Sequence, residues 1–141
     1  MVTVHYSVVS ALAGPAPIFS IHALLDTKQA SGVIGLHEQG DRRWARDAFD
    51  TYFTPPLRHP FDAADVQRLL ALIEQYHRQP LAEYVPNLVV DGSFSTFLVR
   101  GEVDLSMHWG SDAPDEWIDQ VAPLEEFLQG LFTKYSPTTG D

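Results

Sequence analysis

The stretch "SFSTFLVRGEVDLSMHW", residues 93–109, decides the fold. Two runs alternating apolar and polar residues flank Gly101-Glu102, and a period of two around a glycine-bearing pair reads as a β-hairpin. A two-residue turn there sets Arg100 against Val103, Leu98 against Leu105, Thr96 against Met107 and Phe94 against Trp109. One face of the hairpin then carries Phe94, Leu98, Val103, Leu105, Met107 and Trp109, which is a core face. The other carries Ser95, Phe97, Val99, Asp104, Ser106 and His108.

Working outward, "GSDAPDEW" (110–117) reads as a turn and helix start. Pro114 suits a first helical turn, and Asp115 and Glu116 complement the positive end of the helix dipole. Trp117, Val121, Leu124, Leu128 and Leu131 then step by three and four along one face. Pro123 inside this run predicts a kink or a division. Upstream, Val66, Leu69, Leu70, Ile73 and Tyr76 make a second helical stripe, with Asp62 as N-cap, Asp65 in the first turn and Pro80 as terminator.

Toward the N-terminus, "VTVHYSVV" (2–9), "IFSIHALL" (18–25) and "VIGLHE" (33–38) read as strands, the last two joined by a short polar hairpin link. "AGPAP" (13–17) breaks the pattern, and Asp91-Gly92 turns the chain. Residues 39–61 are too long for a structureless loop and predict a fourth strand or a packed turn, while Pro55, Pro56 and Pro60 argue against regular structure just before the first helix. Residues 81–90 cross back as a loop or short strand. The order is β-β-β-(β)-α-β-β-α. The expected class is α+β: a mostly antiparallel sheet of five to six strands with two helices packed on one face. A single domain over 1–135 with a flexible tail at 136–141 accounts for the chain.

The 141 residues include no cysteine, which excludes disulfides, thiolate metal sites and a cysteine nucleophile. No apolar run approaches the ~18 residues of a spanning helix. The apolar N-terminus lacks a basic n-region and is interrupted by His5 and Tyr6, so a cytoplasmic protein is expected. Net charge is −10, and its distribution is uneven. Residues 1–90 hold nine acids and seven bases, a net of −2. Residues 91–141 hold ten acids and two bases, a net of −8. This field argues against nucleic acid and against anionic membrane surfaces.

Asp104, Ser106 and His108 invite a catalytic-triad reading, with Ser95 opposite His108 in the expected register. Residues four apart on a strand are separated by ~13 Å, however, and consecutive hydrogen bonds of ~3 Å are what a triad needs. No nucleophile elbow, phosphate loop or calcium-loop spacing is present either. His5, His22 and His37 fall one on each of the first three strands. Convergence on a metal would require a register that the local sequence does not set, and exposed strand histidines are the simpler reading. No catalytic residue, metal or cofactor is expected. The remaining unusual feature is the one-signed surface after residue 91, since protein surfaces usually intersperse both signs.

Residues 91–131, "DGSFSTFLVRGEVDLSMHWGSDAPDEWIDQVAPLEEFLQGL", resemble the closing hairpin and helix of many small bacterial α+β proteins, in which a D-G turn, an alternating strand pair, a Trp and a Pro-x-x-Trp helix start recur. Some of those are immunity or interaction partners of bacterial toxins. The resemblance carries no catalytic residue to this chain. What it implies is a protein partner, and the charge makes that partner basic. Asp104, His108, Asp112, Asp115, Glu116 and Asp119 are then the expected contact residues. A metal-dependent or small-molecule enzyme using the strand histidines, and a structural subunit or homodimer, are the alternatives.

Overall fold

A computed structural model describes residues 1–10, 19–38, 55, 57–81, 93–110 and 112–135. Among these the elements are β1 (Val2–Ser10), β2 (Phe19–Asp26), β3 (Ser31–Glu38), β4 (His59–Phe61), α1 (Ala63–Arg78), β5 (Ser93–Gly101), β6 (Leu105–Gly110) and α2 (Asp115–Tyr135). The strands form one sheet in the order β4-β3-β2-β1-β5-β6, antiparallel throughout. This is the α+β class expected from the sequence.

Alternation along each strand sorts the two sheet faces. Val2, Val4, Tyr6 and Val8 of β1 are buried on one face, with Ile21, Ala23 and Leu25 of β2, Ile34 and Leu36 of β3, and Phe97 and Val99 of β5. Both helices lie on that face. Tyr76 Oη donates to the Gln120 carbonyl at 2.6 Å, holding α1 beside α2. Along α2, Trp117 meets Trp109 of β6 at 5.7 Å between ring centroids, Phe132 meets Phe19 of β2 at 4.5 Å, and Tyr135 meets Phe61 of β4 at 5.5 Å. The helix therefore crosses the sheet from one edge strand to the other. Leu124, Leu128 and Leu131 between those anchors are fully enclosed, each contributing about 1.5–3 kcal/mol by burial.

The 93–109 hairpin forms, but one position out of the expected register. Phe97 pairs with Met107, Leu98 with Ser106, and Val99 with Leu105. The turn takes one more residue than the two at Gly101-Glu102, and an odd shift turns every β5 side chain to the opposite face. Met107 and Trp109 enter the core as expected; from β5, Ser95, Phe97 and Val99 join them, while Phe94 and Leu98 are half-buried on the other face. Gly101 has φ of +133°, and an added Cβ would stand 2.3 Å from the Met1 carbonyl oxygen. Only glycine fits where the hairpin turns against the start of β1.

Three local expectations are corrected. Pro60 does not exclude regular structure: it is the middle residue of β4, an edge strand in which a missing donor toward solvent is tolerated. Asp62 occupies the N-cap position of α1, but its side chain makes no capping hydrogen bond and reaches Lys134 at 2.6 Å instead. Of the two outcomes expected at Pro123, a kink or a division, division is excluded, since the second helix runs unbroken from Asp115 to Tyr135. Leu72, outside the expected α1 stripe, is buried, whereas Leu70 is half-buried. The β2–β3 link is the expected hairpin, with Asp26 Oδ1 accepting the backbone N–H groups of Lys28 (2.9 Å) and Gln29 (3.1 Å). The readings at 13–17, 39–54, 82–92 and 136–141 lie outside the described residues.

Candidate partner-binding surface

The residues singled out by charge occupy three places. Asp112, Asp115, Glu116 and Asp119 lie together at the start of α2, all exposed. Chain direction explains this: β6 ends at Gly110, the Ala113 N–H bonds the Gly110 carbonyl at 3.1 Å, and the helix begins within five residues. Asp115 and Glu116 sit in the first turn, where the dipole favours them. Among the described residues no cation pairs with Asp115, Glu116 or Asp119. Asp104 is exposed too, but it precedes β6 and so stands a strand length, ~20 Å, from the helix start. His108 points away from the helices. Its Nδ1 lies 3.3 Å from Thr96 Oγ1 and its Nε2 3.2 Å from Ser106 Oγ, and its ring stacks with Phe94 at 6.2 Å. Asp104 is no part of that set, so no triad forms.

Glu125, two turns further along α2, is half-buried. Its carboxylate turns inward and accepts the indole N–H of Trp109. Nearby, Tyr6 stacks on Trp109 at 6.1 Å. Burial, with the Glu125 charge adding to it, pushes the Tyr6 phenol well above its ordinary value. This is a satisfied polar group between sheet and helix, not an open site. The sequence does not mark it, because Glu125 follows Leu124 in a helix whose neighbouring acid, Glu126, faces solvent.

The histidine question has a geometric answer. His5 and His22 are direct cross-strand partners, while His37 pairs with Ser20, two residues further along, and none of the three is exposed as expected: His5 and His22 are half-buried and His37 is buried. Burial pulls the His5 imidazole below its ordinary value, with the neighbouring His22 adding to the effect, and burial does the same to His22. Among the described residues no three histidine, aspartate or glutamate side chains are grouped to hold a metal ion. A cavity of about 340 Å³ opens between the C-terminal half of α1 and the sheet end, floored by Val2, Ile73 and Val103. At its rim the Arg78 guanidinium is taken by Glu74 at 2.5 Å. That cavity joins the ends of three elements and has no local sequence signal.

No described helix is long and apolar enough to cross a membrane. Compared with family models, curated proteins and solved structures, the chain gives no match.

Proposed function

We propose that this chain is a non-enzymatic, cytoplasmic binding protein that engages a basic protein partner through the first turns of α2. The mode of action is occlusion, as in an immunity-type inhibitor covering the cationic active site of a toxin or other enzyme. One observation carries the reading. Asp115, Glu116 and Asp119 are exposed on one helix start, and no described cation neutralises them. Unpaired charge of one sign steers an oppositely charged partner and raises its association rate. Residues 91–131 resemble small bacterial α+β proteins, some of them of immunity type, which points the same way, and no cofactor, nucleic acid or membrane enters the proposal.

The test is capture from the native organism with the full chain as bait, followed by binding measurements on the purified partner. Affinity should fall steeply with added salt, and Asp115→Lys with Glu116→Lys should weaken it by about ten-fold or more. Binding indifferent to both salt and charge reversal would sink the mechanism.

A further inference from the structure

The cavity of about 340 Å³ lies where α1 meets the end of the sheet, at the start of β1, the close of β2 and the turn after β5. Its depth is apolar. Val2 and Ile73 are buried at the floor, while Leu70 and Val103 line the walls and are only half-buried. Leu70 stands one position off the stripe that α1 buries, so the sheet does not cover it. Small-molecule sites have volumes of roughly 300–1,000 Å³ and are built in this way, apolar within and with a few polar groups to fix orientation. Here the polar groups stand at the mouth, and they are unequally engaged. Both oxygens of Glu102 are taken, Oε1 by the Met1 amino group and Oε2 by Thr27 Oγ1 at 2.8 Å. Glu74 Oε1 accepts from Arg78 Nη2 at 2.5 Å. A guanidinium carries several N–H donors, so this pair leaves Arg78 with donors to spare. His77, beside it on the last turn of α1, makes no hydrogen bond or ion pair among the described residues. Against these donors stands one spare carboxylate oxygen, Glu74 Oε2.

We infer that this cavity binds a small amphipathic carboxylate, an aryl or branched-alkyl acid of about a dozen non-hydrogen atoms. The apolar body enters between Leu70 and Val103, and the carboxylate stays at the mouth, accepting from Arg78 and His77. Charge-assisted bonds from a guanidinium are stronger than neutral ones, and its flat fork matches a carboxylate. An amine of the same shape fits worse, because it brings a cation against Arg78 while both Glu102 oxygens already have partners. A polyanion fits worse still, since Glu74 and Glu102 flank the same mouth and the walls below it are apolar. None of the lining residues belongs to α2, so the inference goes beyond the partner surface and does not rest on it.

The probe is 3-phenylpropionate, titrated into the full chain with side-chain methyl resonances as the readout. Its comparisons are 3-phenylpropionamide, of the same shape without charge, 3-phenylpropylamine, of opposite charge, and acetate, the head without the body. Phenylpropionate should shift the methyl groups of Val2, Leu70, Ile73 and Val103 and reach saturation. The amide should bind about ten-fold more weakly, and the amine and acetate should give no saturable shift. Arg78→Gln should weaken phenylpropionate about five-fold and His77→Gln about three-fold. Both side chains are exposed, so neither change threatens the fold, and the ligand series alters nothing in the protein. Equal binding of acid and amide overturns the inference, as does an unchanged affinity in Arg78→Gln. Stronger binding of the amine overturns it too. Shifts centred on other methyl groups, or no saturable shift with the acid, do the same. All these results leave the partner surface standing, since Asp115, Glu116 and Asp119 take no part in the cavity.

Discussion

Tyr135 Oη donates to Asp65 Oδ2 at 2.7 Å and accepts the Asp62 backbone N–H at 2.9 Å, so the last residue of α2 closes the first turn of α1. Lys134 adds ion pairs to Asp62 and Asp65, at 2.6 and 2.8 Å. This clamp takes the place of the missing side-chain cap at Asp62. Tyr135→Phe keeps the ring against Phe61 and removes both hydrogen bonds. It should cost about 1–2 kcal/mol in urea unfolding, with an unchanged m-value.

The same clamp sets an acid dependence. Burial pushes the Asp65 carboxyl up, but hydrogen bonds from Lys134 and Tyr135 and the Lys134 charge outweigh it and hold the group below its ordinary value. A depressed carboxylate stabilises the fold above its unfolded pKa, and that contribution is lost as pH falls through the folded pKa. Asp65→Asn should therefore lower stability at neutral pH and flatten the loss seen below about pH 4. Thermal melts from pH 2 to 7 on both proteins test this.

His5 and His22 predict a second slope at higher pH. Their folded pKa values lie below the ordinary 6.5. The unfolded chain then binds more protons, so stability is full above about pH 6.5 and declines as pH falls through the folded values. The double variant His5→Gln with His22→Gln should show a flatter curve just below pH 6.5. Equal slopes in the two proteins would remove the cross-strand pair as their origin.

The corrected hairpin register is directly measurable. Phe97 is fully enclosed and Phe94 only half-buried. Phe97→Ala should cost about 3–5 kcal/mol, against about 1 for Phe94→Ala. A two-residue turn at Gly101-Glu102 would demand the reverse order.

Gly101 offers an independent check on the same turn. Its φ of +133° is a region that side chains avoid, and a Cβ would collide with the Met1 carbonyl. Gly101→Ala should destabilise by about 2–3 kcal/mol, whereas Glu102→Ala, on an exposed side chain, should cost under about 1.

Legibility followed the range over which each signal acts. Periodicity is local, so the strands at Val2, Phe19, Ser31, Ser93 and Leu105 and both helices could be read before any tertiary contact was known. Turn length at Gly101 depends on where the Met1 carbonyl lies, about a hundred residues earlier, and a single residue's error there moved Phe97 from one face to the other. Asp62 looked like a cap because capping is the common local role of such a residue. Its actual partner, Lys134, arrives only when α2 crosses the whole sheet. Asp112, Asp115, Glu116 and Asp119 were found together because they share one helix start. Asp104 and His108 were grouped with them by sequence proximity, and the strand between separates them by length and by face. Glu125 went the other way, drawn inward by Trp109.

The β4 edge of the sheet also limits growth. A chain that accepted strands on both sides could pass them on and polymerise without end. Here Pro60, in the middle of a three-residue edge strand, denies the β4 side the donor that a further strand would need, so pairing cannot run on through both edges.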